Sequence, residues 1–67
     1  MIDRECERHG CTVRYQTFRT GMLEAFIRNG SIVFLSEITG VSVKKDGRIR
    51  DFGDDFHKAL KFAFEEQ

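Results

Sequence analysis

The chain lacks proline altogether, has only two cysteines, and carries no surplus of charge, with eleven Lys and Arg set against eleven Asp and Glu. Disordered chains are rich in proline and poor in aromatics, so the missing proline, beside seven Phe in 67 residues, argues for a folded core. A net charge of zero gives no global attraction to nucleic acid or anionic lipid, and any such partner has to be met by a local patch. No apolar run reaches the roughly 20 residues that span a bilayer. The opening Met1-Ile2-Asp3-Arg4-Glu5-Cys6 is charged from its third residue and lacks the apolar centre of a signal peptide. A cytoplasmic protein with no membrane partner is therefore expected, in a compartment where both cysteines stay reduced. Catalysis is not expected either. Ser31, Ser36 and Ser42 sit in no nucleophile motif, the glycines are too isolated to form a phosphate loop, and so short a chain has little room to enclose a substrate.

What is present points to one intact domain over residues 1–67. A chain of this size buries only about 60% of its unfolded surface, so its core is thin, and a partner copy, a metal or another protein would add support. Six glycines punctuate the sequence, and from Gly10 to Gly47 their spacing suits a run of short antiparallel strands. Residues 1–10 read as a polar arm or short cap. Val13 and Tyr15 alternate with Arg14 and Gln16 in the pattern of a half-buried strand, and Arg19-Thr20-Gly21 reads as a turn. Residues 22–28 admit two readings. Met22, Leu23, Phe26 and Ile27 would share a helix face, whereas Asn29-Gly30 as a two-residue hairpin turn makes the segment a strand and sets Ile27 opposite Ile32. The strand is preferred.

Ile32-Val33-Phe34-Leu35 is apolar on both faces and reads as a central strand, followed by a strand at Val41-Ser42-Val43-Lys44. The turn at Lys45-Asp46-Gly47 is expected to be a three-residue loop with a glycine bulge, because that register sets Val43 opposite Ile49, apolar against apolar. Residues 54–66 read as a helix, with Asp54 as N-cap and Phe56, Ala59, Leu60, Ala63 and Phe64 on one stripe beside Phe62. The fold expected is α+β: an antiparallel meander of four or five strands over residues 11–52, with the C-terminal amphipathic helix packed on the sheet. The expected core is Val13, Tyr15, Leu23, Ile32, Phe34, Val43, Ile49, Phe56, Leu60 and Phe64. Because the strands are apolar on both sides, either a second copy covers the face the helix leaves free or the sheet curls.

Four groups of residues bear on function. Cys6, His9 and Cys11, with His57 on the helix, supply thiolates and imidazoles of the kind zinc takes, although no Cys-x-x-Cys pair is present. No cofactor is expected, and a zinc-stabilised module is an alternative. Lys44, Lys45, Arg48 and Arg50 make a basic hairpin that could lie along a phosphate backbone, with Asp46, Asp51, Asp54 and Asp55 diluting the field. The phenylalanines of the helix are mostly core, with Phe62 or Phe64 left for a partner. The acid pairs Asp54-Asp55 and Glu65-Glu66 read as a cap and a solvated end, not as acid–base catalysts.

The stretch Ile32 to Val43, in which an Ile precedes a Val-x-Val strand, resembles strand pairs of bacterial pleckstrin-like domains. The rest of the chain is too short for that fold, and no activity or site residue follows from it. By elimination the expectation is a small non-enzymatic regulator or inhibitor that binds a protein, of the size common among accessory proteins of phages and mobile elements. Its expected contacts are Arg48, Arg50, Tyr15 and Phe62, since Arg and aromatic residues dominate binding hot spots. The basic hairpin at residues 44–50 as a nucleic-acid-binding element is the alternative.

Overall fold

The computed structural model describes residues 1–65. It is an α+β domain whose elements run α1 (Ile2–Arg8), β1 (Val13–Thr17), β2 (Leu23–Ile27), β3 (Ile32–Ser36), β4 (Gly40–Lys45), β5 (Arg48–Gly53) and α2 (Phe56–Phe64). The five strands form one antiparallel sheet in chain order, and α2 packs across β3, β4 and β5. Among the described residues no helix is long and apolar enough to cross a membrane.

The segment at residues 22–28 is strand over Leu23–Ile27, as preferred, but the β2–β3 and β4–β5 hairpins differ in register from expectation. Ile27 faces Ser31 and Phe26 pairs with Ile32, so the β2–β3 loop is Arg28-Asn29-Gly30, with Gly30 at φ 99°. Asn29 explains the slip. Its amide donates to the Ala63 carbonyl of α2 at 2.9 Å while its Oδ1 accepts from Ser31 N. The side chain is committed to the end of the helix, and the loop takes the shape that allows it. At the β4–β5 turn the reverse holds. Lys45 pairs with Arg48, Lys44 with Ile49 and Val43 with Arg50. The loop is therefore Asp46-Gly47 alone, and both residues have positive φ (54° and 77°), the two-residue turn whose twist matches the strands. The expected pairing of Val43 with Ile49 is thus overturned. The irregularity lies further along, where Val41 pairs with Gly53 but Ser42 with Asp51. Phe52 is the extra residue of that bulge, and it turns towards α2, its ring 5.6 Å from that of Phe62.

The core lies on the α2 side. Ala25, Val33, Val43, Ala59 and Ala63 have no exposed surface, and Ile27, Val41, Leu60 and Phe64 are nearly as buried. Of the expected core, Val43, Leu60 and Phe64 are confirmed, and Val13 and Phe56 pack against its margin. Leu23, Ile32 and Phe34 are only half-buried, while Tyr15 is 41% and Ile49 67% exposed. For Ile32, Phe34 and Ile49 the cause is the period of two along a strand, which turns them away from α2. Tyr15 and Leu23 share the α2 face with the core but lie, respectively, on the edge strand β1 and at the end of the sheet. Pairing Lys44 with Ile49 sends Ile49 to the face away from α2.

The first ten residues are not a polar arm. Residues 2–8 form α1, with Ile2 and Cys6 buried one turn apart against the core. Tyr15 is tied to this helix by a 2.9 Å hydrogen bond from its hydroxyl to Asp3. The N-cap of α2 is Asp55, not Asp54, and its carboxylate accepts from Lys58 N at 3.1 Å. Within the described residues α2 ends at Phe64 and Glu65 is extended; the expected end at Glu66 lies outside them.

Candidate functional site

The residues singled out for binding separate into two places. Arg50 shares the α2 face of the sheet with Val43, its cross-strand partner. Its guanidinium lies 5.8 Å from the centre of the Phe52 ring and 5.6 Å from that of Phe62, close enough for a cation–π attraction. Arg48, two residues before it on β5, leans to the same side beside Lys45. Together Arg48, Arg50, Phe52 and Phe62 form one cationic and aromatic surface where α2 meets the edge strand. Tyr15 lies on β1 at the opposite edge of the sheet, with its hydroxyl held by Asp3. Partial burial, and then the bond to Asp3 and that residue's charge, push its pKa up to about 12. Phe52 was not foreseen as a contact residue, because only the bulge turns it towards Phe62.

The four basic residues of the β4–β5 hairpin do not form one patch. Lys44 and Lys45 point to opposite faces. Lys44 shares the open face with Ile49, and Lys45, Arg48 and Arg50 share the other. Lys45 is also engaged. Its ammonium donates to the carbonyls of Phe62 (3.0 Å) and Glu65 (2.8 Å) and lies 5.1 Å from the centre of the Phe62 ring. These carbonyls lie at the negative C-terminal end of α2, where Phe62 O also accepts from Glu65 N at 3.4 Å. Ser31, almost wholly buried, donates to Ala63 O at 3.0 Å beside Asn29. Three side chains from the sheet thus complete the end of one helix, a role that nothing in their sequence context announces.

Around the N-terminal cysteines, Cys6 faces the core, where burial, and then Cys11, Asp3 and Glu5, raise its thiol pKa. Cys11 donates through Sγ to the carbonyl of His9 at 3.6 Å. The His9 ring stacks on Phe64, with centroids 5.1 Å apart, and its Nε2 is 3.6 Å from Glu5. His57 meets His9 only across a cleft between α1 and α2 that Glu5, Arg8 and Lys61 also line. Among the described residues no three His, Cys, Asp or Glu side chains are grouped to hold a metal ion.

The face of the sheet turned away from the helices is the one for which the sequence suggests a second copy or a curled sheet, and none of the expected protein-binding residues lies on it. Two rows of side chains cross it. One is Arg14, Phe26, Ile32, Lys44 and Ile49, and the other is Gln16, Glu24, Phe34, Ser42 and Asp51. Arg14 lies over the Phe26 ring at 5.0 Å. Met22, Phe34 and Ile49 line a shallow groove there of about 230 Å³. A second groove, about 320 Å³, opens where the sheet ends below the start of α2, on an apolar floor of Leu23, Leu35, Val41 and Phe56. Comparison of the chain with protein-family models, curated proteins and solved structures finds no match, so function has to be argued from these surfaces.

Proposed function

We propose that this chain is a small non-enzymatic regulator or inhibitor, acting in the cytoplasm, that docks on a protein partner through the edge where α2 meets β5. One arrangement carries the reading: the Arg50 guanidinium laid over the Phe52 and Phe62 rings, with Arg48 alongside. Arginine and aromatic side chains are the residues whose loss costs most at protein interfaces. Here Arg50 is held by the rings it covers, so it loses less side-chain freedom on binding. Tyr15, at the other edge, falls outside this surface. The nucleic-acid alternative loses strength on two counts, since Lys45 is committed to the end of α2 and Lys44 points to the opposite face.

The test is capture by the tagged chain from a lysate of its source organism, with nuclease, at moderate and high salt. One protein recovered at both salts, lost with Arg48→Glu and Arg50→Glu together and retained with Lys44→Glu, supports the reading. Retention despite the double reversal contradicts it. Recovery of nucleic acid alone, at low salt and without nuclease, transfers the function to phosphate binding, which salt weakens steeply.

A further inference from the structure

We infer that the open face of the sheet is the seat of a second copy of this chain, related to the first by a two-fold axis that lies in the interface and runs across the strands. The surface is apolar at its centre, where Ile32 and Phe34 sit on the middle strand, with Phe26 beside them on β2 and Ile49, 67% exposed, on the edge. Among the described residues no helix covers these side chains, since α1 and α2 pack on the other face or at its margin.

Charge selects both the occupant and the axis. The face carries Arg14 and Lys44 in one row and Glu24 and Asp51 in the other. It is neutral over these four residues but polar along the strand direction. A two-fold interface sets the same patch against itself, so it must be self-complementary. An axis parallel to the strands would lay each row on its own copy, bringing Arg14 beside Lys44 and Glu24 beside Asp51, like against like. An axis across the strands, between the rows, lays one row on the other. Ile32 then meets Phe34 of the second copy, and Phe34 meets its Ile32. Arg14 comes within one strand spacing of Glu24 of the second copy, and Lys44 within one of its Asp51. Arg14 is already placed for this. Its guanidinium lies over Phe26, the position above which Glu24 of the second copy arrives.

Area sets the strength. Five strands at about 4.8 Å spacing and five residues at about 3.4 Å rise give a plane of roughly 400 Å² per copy. That is about 800 Å² in all, short of the roughly 1,000 Å² that a stable specific interface clears, so the dimer is weak and transient and forms at high concentration. A mixed-sign face of this kind does not suit a phosphate backbone, which wants one sign throughout.

The experiment is sedimentation of the full chain over a range of concentrations for the wild type, Glu24→Arg, Arg14→Glu and the double reversal, with circular dichroism to confirm folding. The wild type is expected to pass from one chain to two. Each single reversal should raise the dissociation constant about tenfold or more, because it places like charges together at the interface. The double reversal restores opposite signs and should bring the constant back near the wild-type value. Phe34→Lys, on the same face but outside the charge pairs, should abolish association and leave the fold intact. A wild type that stays at one chain at every concentration overturns the inference. So does a double reversal no tighter than the singles, or a dimer indifferent to Phe34→Lys. Arg48→Glu with Arg50→Glu should leave the dimer unchanged, so failure of the proposed partner contact and failure of this interface are separately visible.

Discussion

The two faces of the sheet have opposite size profiles. On the covered face the central positions are Ala25, Val33 and Val43, none with any exposed surface, beneath Ala59 and Ala63 of α2. On the open face, one residue along each strand, stand Phe26, Ile32 or Phe34, and Lys44. A helix can sit close on a sheet only where side chains are small, because interiors are close-packed and extra volume forces strain. At the centre of the sheet, then, the small apolar residues lie under the helix and the bulkier ones Phe26, Ile32 and Phe34 stand on the open side, while large residues such as Ile27, Leu60 and Phe64 fill the core around that close contact.

Substitution at neighbouring positions of β3 separates the faces most sharply. Val33→Asp places an unpaired charge in the core and should cost more than about 4 kcal/mol, enough to unfold so small a domain. Phe34→Lys, one residue on, should change the stability of the isolated chain by less than about 1 kcal/mol. Thermal melts at low concentration report both, and similar losses at the two sites would remove the distinction.

A smaller effect is expected at the sheet's end, where the Gly53 backbone lies against Gly40. Gly40 has φ 90°, and a Cβ there would collide with the carbonyl of Gly53, 2.6 Å from its carbon. Gly40→Ala should cost roughly 3 kcal/mol from strain and displaced backbone. Gly30→Ala, with a similar φ but open space around it, should cost only about 1–2 kcal/mol. Urea titration resolves the two.

The covered face also depends on polar groups at its margin. Asn29→Ala and Ser31→Ala each remove a donor to Ala63 O, and each should lower stability by about 1 kcal/mol. Substitution of Gln16, on the open face, should change nothing measurable in the same denaturation.

The smallest effect concerns Tyr15 and alkaline pH. Its pKa is raised to about 12 in the folded chain from 10, so the folded state holds a proton that the unfolded state releases. The stability this contributes is fully present below pH 10 and is lost as pH rises towards 12. Tyr15→Phe should flatten the decline over that window, read as melting temperature against pH. An unchanged slope would place its cause elsewhere.

Much of the fold was legible because periodicity and turn residues acted together. The alternation at Val13-Arg14-Tyr15-Gln16 and the stripe Ala59-Leu60-Ala63-Phe64 identify a strand and a helix by themselves. Register was not legible. Asn29-Gly30 and Asp46-Gly47 carry the same turn chemistry, yet the first closes a three-residue loop and the second a two-residue one. The difference comes from a contact more than thirty residues away, Asn29 with Ala63, which no local pattern contains. Register also decides the candidate sites. The two-residue turn at Asp46-Gly47 sends Ile49 outward, and the period of two along β4 sets Lys44 apart from Lys45. The bulge at Phe52 brings that ring to Arg50 and Phe62. Helix α1 was missed because its only signal is Ile2 and Cys6 one turn apart among charged residues, a spacing too short to outweigh their polarity.

The division between a face for stability and a face for association is tested most directly by the melting temperature of the wild-type chain and of Phe34→Lys across a hundredfold range of protein concentration. If a second copy covers the open face, the wild-type value should climb by roughly 5 °C or more over that range, because association stabilises the folded chain by mass action, while the Phe34→Lys value stays constant. A wild-type melting temperature that does not move with concentration would contradict the account.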